Sequence, residues 1–198
     1  LYVQDGDYLF KDLNKDIIFV GIESKQRSND FTPWEAQIGK QKSGGLADKY
    51  LKWLTEELIP VLRHRYRVSN DNKDIGIAGA SYGALVSLYA LYQIPKCFGT
   101  YILISPSVWY PNFIDFMKRE GQITDKVTVY WYVGLKEGIE HTLTIKDMVK
   151  NSFEGVKILN GDLNHKEAQF KFQTNPKGIH RHRFFKKYFK KALKYAYK

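Results

Sequence analysis

The chain has 198 residues, of which 43% are hydrophobic and 26% charged. This excludes a disordered or low-complexity chain, and the length fits one domain with a sizeable core rather than two. A net charge of +10 raises the question of an anionic partner, while the single cysteine, Cys97, excludes an intrachain disulfide and agrees with a reducing, cytoplasmic setting.

In chain order, Leu1–Val3 and Ile17–Ile22 read as strands, with an Asp-Gly turn at Asp5-Gly6 between them. Apolar residues recur at helical spacing over Leu46–Arg65, and Pro60 inside that run is expected to bend the helix. There follow a strand at Ile75–Ala78, a helix at Tyr82–Tyr92, a strand at Thr100–Ile104, a short helix at Asn112–Glu120, a strand at Val127–Tyr132, a helix at Thr142–Asn151 and a last strand at Val156–Leu159. Cys97 falls beside the Thr100–Ile104 strand and is expected to be buried. The alternation predicts a mostly parallel sheet with helices on both faces.

One stretch resists this reading. Only six residues separate Phe10 from Ile17, too few for a crossover helix. Parallel neighbours need about a dozen connecting residues. Either the first two strands are not adjacent and parallel, or sequence is lost near Asp12.

The chain ends in KGIHRHRFFKKYFKKALKYAYK. Phe184, Phe185, Tyr188, Phe189, Leu193 and Tyr197 recur there at helical spacing, so the expected helix packs on the domain and turns its lysines to water. Binding of nucleic acid or an anionic membrane through those lysines is the rival reading. No apolar run reaches 18 residues, so no membrane span is expected.

The informative motif is GASYG, Gly79–Gly83, set in KDIGIAGASYGALVSLYALYQI. A serine between two glycines, on a sharp turn from strand to helix, is lifted to the carboxyl edge of a sheet with backbone N–H groups nearby. Ser81 is therefore the candidate nucleophile, and the N–H of Tyr82 is a candidate oxyanion donor. A turn near Asp5-Gly6 offers a second N–H, from Asp7 or Tyr8. An ordinary Asp-Gly turn is the plainer alternative.

A serine nucleophile needs a base and an acid, in the order serine, acid, histidine for this architecture. His165 follows the expected last strand and is the leading base. His180 is its rival, His141 is weaker, and His64 and His182 lie on other segments. In VYWYVGLKEGIEH, Glu137 leads Glu140 as the acid. Asp125 lies at the wrong end of its strand, and Asp162 is close enough to His165 to cap a turn in the same loop. No HExxH pattern, paired cysteines or dinucleotide fingerprint is present, so neither metal nor cofactor is expected.

These segments together resemble the "Putative esterase" family of α/β-hydrolases, which includes esterase D-type, siderophore (enterobactin-type) and feruloyl or acetyl-xylan esterases. YVQDGDYLF resembles its early strand and oxyanion loop, and IIFVGIESKQRSNDFTPW its next strand. GGLADKYLKWLTEELIPVLRHRYRV resembles the helix before the nucleophile, and GASYGALVSLYA the nucleophile elbow. FGTYILISPSVWY resembles a Ser-Pro-Ser-x-Trp segment, VYWYVGLKEG the acid loop and GDLNHKEAQF the histidine loop. The resemblance implies an α/β-hydrolase fold with a minimal lid over residues 1–198, and a triad of Ser81, Glu137 and His165. It lends Asp7 support as an oxyanion donor and implies that Arg27, Ser107, Trp109 and Tyr110 bind substrate. It also implies strands ahead of Leu1 and a helix near residue 12 that this sequence lacks.

The expected activity is hydrolysis of a small or aromatic carboxylic ester through an acyl-serine. The alternatives are a siderophore-specific (catecholate trilactone) esterase and a non-catalytic binding protein on the same scaffold. The expected partner is a small-molecule ester, with no nucleic acid; a homodimer stays open.

Overall fold

The short runs of β-branched and aromatic residues form one central sheet in the computed structural model, which describes residues 1–139 and 144–197. Its strands are β1 (Tyr2–Gln4), β2 (Val20–Ile22), β5 (Gly76–Ala80), β6 (Thr100–Ile104), β7 (Thr128–Gly134) and β8 (Gln169–Asn175), and β3 (Glu35–Ile38) and β4 (Gln41–Gly44) make a separate antiparallel hairpin. The six-stranded order is β2-β1-β5-β6-β7-β8, and every neighbouring pair is parallel. The helices are α1 (Arg27–Asp30), α2 (Ala47–Trp53), α3 (Ile59–Arg65), α4 (Tyr82–Gln93), α5 (Phe113–Glu120), α6 (Met148–Asp162) and α7 (His182–Ala196).

Alternation along each strand divides the core in two. Tyr2, Ile77, Tyr101, Leu103, Val129 and Trp131 point to one face and pack with α2 through α6. Val3, Ala78, Ala80, Ile102, Ile104, Tyr130 and Tyr132 point to the other, where α7 covers them with Phe185, Tyr188, Phe189, Ala192 and Leu193. Tyr132 stacks on Tyr188 with ring centroids 3.6 Å apart. Each such ring or leucine contributes about 1.5–3 kcal/mol on burial. The basic terminal segment is thus a packed helix with a wet lysine face: Lys187, Lys190, Lys191 and Lys194 are exposed. Among the described residues no helix is long and apolar enough to cross a membrane.

Three sequence expectations need correction. First, β1 and β2 are adjacent and parallel after all. Because β1 ends at Gln4 and β2 starts at Val20, the connection is residues 5–19, fifteen in number, long enough without a helix. The link folds as turns, with Phe10 and Lys11 N–H both bonded to Asp7 O, buried Leu9, and Phe10 stacked on Phe19. Second, Val156–Leu159 is helical. Met148, Ser152, Gly155 and Leu159 form the buried stripe of α6; of the helix expected at Thr142–Asn151, Thr144–Asp147 is a 3₁₀ turn and Met148–Asn151 is the first turn of α6. Third, the last strand is Gln169–Asn175. Pro60 does disturb its helix: a π turn, Leu54–Leu58, separates α2 from α3 just ahead of the proline, whose missing N–H and bulky ring do not suit a regular α turn. Cys97 is half-buried, and burial raises its thiol pKa.

Phe189 is fully buried under the sheet, while Lys190 beside it is exposed. Phe189→Ala is expected to lower the unfolding free energy by about 3–5 kcal/mol in urea melts. Lys190→Ala is expected to change it by no more than about 0.5 kcal/mol.

Candidate active site

The β5-to-α4 turn is built around crowding that only glycine tolerates. A Cβ on Gly79 would stand 2.4 Å from the Gly83 carbonyl carbon, and a Cβ on Gly83 would stand 2.8 Å from Gln4 Cβ. Between them Ser81 adopts φ 57° and ψ −120°, a strained conformation for a residue with a side chain. Its N–H donates to Ile104 O at 3.0 Å, while its carbonyl accepts Leu85 N–H at 2.9 Å and Ser107 N–H at 3.2 Å. The strain is therefore held from both sides. Ser81 Oγ lies 3.2 Å from Ser107 Oγ.

Glu137 sits three residues past the end of β7, with its N–H donating to Gly134 O at 3.1 Å. Its side chain is fully buried. A buried carboxylate is tolerable only when its oxygens are met by donors, and here Oε1 accepts from Ser105 Oγ at 2.7 Å and Gly134 N–H at 2.8 Å. The other oxygen, Oε2, lies 2.7 Å from His180 Nδ1.

His180 reaches that oxygen because the chain after β8 is stitched to the chain after β7. Leu135 N–H donates to Asn175 O and Lys136 N–H to Gly178 O, both at 2.9 Å. Gly178 makes the approach possible: a Cβ there would lie 2.5 Å from Tyr132 Oη and 2.6 Å from Gly134 Cα. The imidazole also packs edge-on against Phe185, with centroids 4.8 Å apart. Ser81 and His180 line one cavity of about 620 Å³, together with Asp5, Tyr8, Arg27 and Phe185.

His165, the base expected from the sequence, does not share a cavity with Ser81, whereas its rival His180 does. His165 precedes β8, whose residue Gln169 pairs with Thr128 at the start of β7. It therefore stands at the amino edge, opposite Ser81. Its Nδ1 accepts Glu167 N–H at 3.1 Å, and it lines a different cavity of about 840 Å³ with Asp125 and Lys126. The misplacement follows from taking Val156–Leu159 as the last strand; with β8 as the last strand, the same rule points to His180. Asp162 bonds Tyr92 Oη at 2.6 Å rather than His165. Glu140 and His141 lie outside the described residues.

The remaining candidates divide. Tyr82 opens α4, and its N–H belongs to the first helical turn beside Ser81. Asp7 is exposed and does not line the Ser81 cavity, whereas Asp5 and Tyr8 on either side of the Gly6-Asp7 turn do. Asp5 and Gly6 both take positive φ, 66° and 79°. Arg27 lines the cavity but is already engaged: Nε and Nη2 donate to the two oxygens of Asp5 at 2.6 and 2.8 Å, and its guanidinium lies 5.4 Å from the Tyr82 ring centroid. Burial works against its charge, the Asp5 bond outweighs it, and the Arg27 pKa rises. Burial likewise raises the phenols of Tyr8 and Tyr82, keeping both neutral. Ser107 touches the Ser81 hydroxyl. Trp109 packs behind Tyr82, and Tyr110 is buried with its hydroxyl donating to Trp34 O, so neither ring lines the Ser81 cavity. Ser105, which holds Glu137, was not singled out by sequence; the only signal was its place in Ser-Pro-Ser. Among the described residues no group of three or more His, Cys, Asp and Glu side chains is gathered as metal ligands would be.

Comparison with known proteins gives the chain a family and relatives of the same fold. A family model described as "Putative esterase" matches residues 7–196. The uncharacterized protein YbbA of Bacillus subtilis is 28% identical over 215 aligned residues, covering 100% of this chain and 84% of that one. A siderophore enterobactin esterase of Emericella nidulans is 32% identical over 100 residues, covering 46% of this chain and 33% of its own length. Among solved structures, the BES protein from Bacillus cereus superposes with a TM-score of 0.73 at 22% identity, over 100% of this chain and 82% of that one.

The glycine contacts give a direct check. Gly178→Ala is expected to destabilise by about 1–3 kcal/mol through overpacking against Tyr132 and Gly134. Gly161→Ala, where a Cβ meets nothing within 4 Å in α6, is expected to be neutral or stabilising in the same urea titration.

Proposed function

Because the chain belongs to the "Putative esterase" family, we propose that it is a serine carboxylic-ester hydrolase in which Ser81 is the nucleophile, His180 the base and Glu137 the acid that orients it. The observation that carries this reading is the Glu137 Oε2–His180 Nδ1 contact of 2.7 Å, in a cavity shared with a serine in the strained elbow conformation.

With Nδ1 committed to Glu137, Nε2 is the imidazole nitrogen left to accept a proton. Ser81 Oγ attacks the ester carbonyl carbon while its proton passes to His180 Nε2. The negative charge on the former carbonyl oxygen is met by the Tyr82 N–H and by a second N–H from the Asp5–Asp7 turn, where Asp7 remains the donor proposed from resemblance. Collapse breaks the bond to the alcohol oxygen, which leaves with the proton from His180. Water then attacks the acyl carbon, gives a proton to His180, and Ser81 Oγ departs reprotonated as the acid is released. Buried Glu137 stabilises the imidazolium at both stages.

The proposed substrate is a small or aromatic ester, as the aromatic walls Tyr8 and Phe185 favour a planar group. A siderophore ester is the narrower reading. It is supported by the Emericella nidulans relative's description and by exposed Arg181 on the cavity wall, a cation for an anionic aromatic group.

Ser81→Ala and His180→Ala are each expected to lower kcat on p-nitrophenyl butyrate by about 10³-fold or more, with the fold retained by circular dichroism. His165→Ala is expected to keep the wild-type rate. A folded Ser81→Ala protein that still turns over ester would refute the reading, and the absence of turnover by the wild type on a panel of acetyl, butyryl, feruloyl and siderophore esters would favour a binding protein. The narrower reading requires a higher kcat/KM for a catecholate trilactone than for p-nitrophenyl butyrate.

A further inference from the structure

Ser105 and Ser107 flank one proline in the turn after β6, and each touches a different member of the proposed triad. Ser105 Oγ donates to Glu137 Oε1 at 2.7 Å, while Ser107 Oγ lies 3.2 Å from Ser81 Oγ and its N–H donates to Ser81 O at 3.2 Å. Both serines are fully buried. The turn itself is anchored to the sheet, because Ser105 N–H donates to Tyr132 O at 2.7 Å and Ser81 N–H to Ile104 O at 3.0 Å.

Resting on the esterase reading above, we infer that the Ser105-Pro106-Ser107 turn is a tether that sets acid and nucleophile relative to one another, with Ser105 a positioning residue for Glu137. Ser105 takes φ 49°, a region where glycine sits without strain and a side chain does not. A side chain is nevertheless present, and its hydroxyl is spent on the carboxylate. Gly134 N–H meets the same Oε1. With two donors on Oε1, the carboxylate plane is fixed and Oε2 is presented to His180. Ser107 works at the other end of the turn: its O–H donates to Ser81 Oγ when that oxygen gives up its proton, and its backbone N–H helps hold Ser81 in the strained conformation. Pro106 between them has a fixed φ, so movement at one end of the turn is transmitted to the other.

The distinguishing consequence is a pH effect. Removing the Ser105 hydroxyl leaves more negative charge on Glu137 to stabilise the His180 imidazolium. The apparent pKa of the rising limb of kcat/KM then moves up, and the ester rate at neutral pH falls. Deleting the Ser107 hydroxyl slows attack at every pH without moving that limb.

The experiment compares wild type, Ser105→Gly and Ser107→Ala by p-nitrophenyl butyrate hydrolysis and by the rate of Ser81 labelling with a fluorophosphonate, from pH 5 to pH 9. Ser105→Gly relieves backbone strain, so a loss of rate in that variant is not a loss of fold. The expected result is a fall in kcat of about 10- to 100-fold with KM within about twofold, together with an upward shift of the pH midpoint. Ser105→Cys keeps the side-chain shape with a weaker donor; it is expected to shift the midpoint in the same direction by less, and it serves alone if the glycine variant does not fold. Wild-type kcat with an unmoved midpoint in these Ser105 variants would overturn the inference while leaving the esterase reading intact. Failure of the wild type to label at Ser81 would overturn both.

Discussion

A carboxylate buried from solvent is the constraint around which this molecule is arranged. Glu137 has a fully buried side chain, and an ion there is tolerable only because three donors converge on it. Those donors come from three chain segments: Ser105 after β6, Gly134 at the end of β7, and His180 after β8. Meeting the needs of one side chain therefore fixes the spatial relation of three adjacent strand ends. The ladder contributes as well, since β7 and β8 remain in register from Thr128↔Gln169 to Gly134↔Asn175, and the chains beyond them continue to exchange backbone bonds. Gly134 and Gly178 have no side chains because their backbones pass at the point where the acid and histidine loops cross.

The terminal helix takes part in the same arrangement. α7 begins at His182, two residues after His180, and its first buried ring, Phe185, packs against the His180 imidazole. The stripe that closes the second face of the sheet thus also anchors the loop bearing the proposed base. The lysines are the other side of this design. A helix that gives Phe185, Tyr188, Phe189, Ala192 and Leu193 to the core must put something soluble on its remaining face, and this one contains no acidic residue. One lysine, Lys186, reaches Asp12 at 3.1 Å on the β1–β2 connection. Packing on the sheet accounts for the apolar half of the amphipathic pattern.

Much of the fold was legible because its strands are short, apolar and separated by strong helical periods. Thr100–Ile104 was read to the residue, and the Ser81 elbow was clear from strand, small residues and helix in succession. What failed was the discrimination of Val156–Leu159 from a strand. Its four residues are apolar enough for either state, and only the longer spacing Met148, Ser152, Gly155, Leu159 reveals the helix. The true strand, QFKFQTN, is polar at alternate positions because it lies at the sheet's edge, and it carried less hydrophobic signal than the helix before it. With Val156–Leu159 taken as the last strand the histidine that follows is His165; with Gln169–Asn175 it is His180. Ser105 was illegible for a different reason: nothing in sequence tells which of two serines beside a proline meets a carboxylate 32 positions away.

Arg27 shows why net charge is a poor guide to a cavity. The chain carries +10 overall, yet the arginine beside Ser81 is matched by Asp5 in a two-point pair and lies over the Tyr82 ring. That pair does structural work at the residue where it is most needed. Asp5 has φ 66° and is followed by Gly6 at 79°, two consecutive left-handed residues at the end of β1. Gly6 N–H is tied to Ile22 O at 3.0 Å. A turn so held at backbone and side chain keeps its N–H groups oriented beside the elbow, and orientation is what an oxyanion site requires. Under the proposed function, electrostatic recognition of a substrate falls to groups such as Arg181 at the cavity wall, which makes no ion pair among the described residues. The lysines on the outer face of α7 face solvent, while Arg27 is bound into the turn that follows β1.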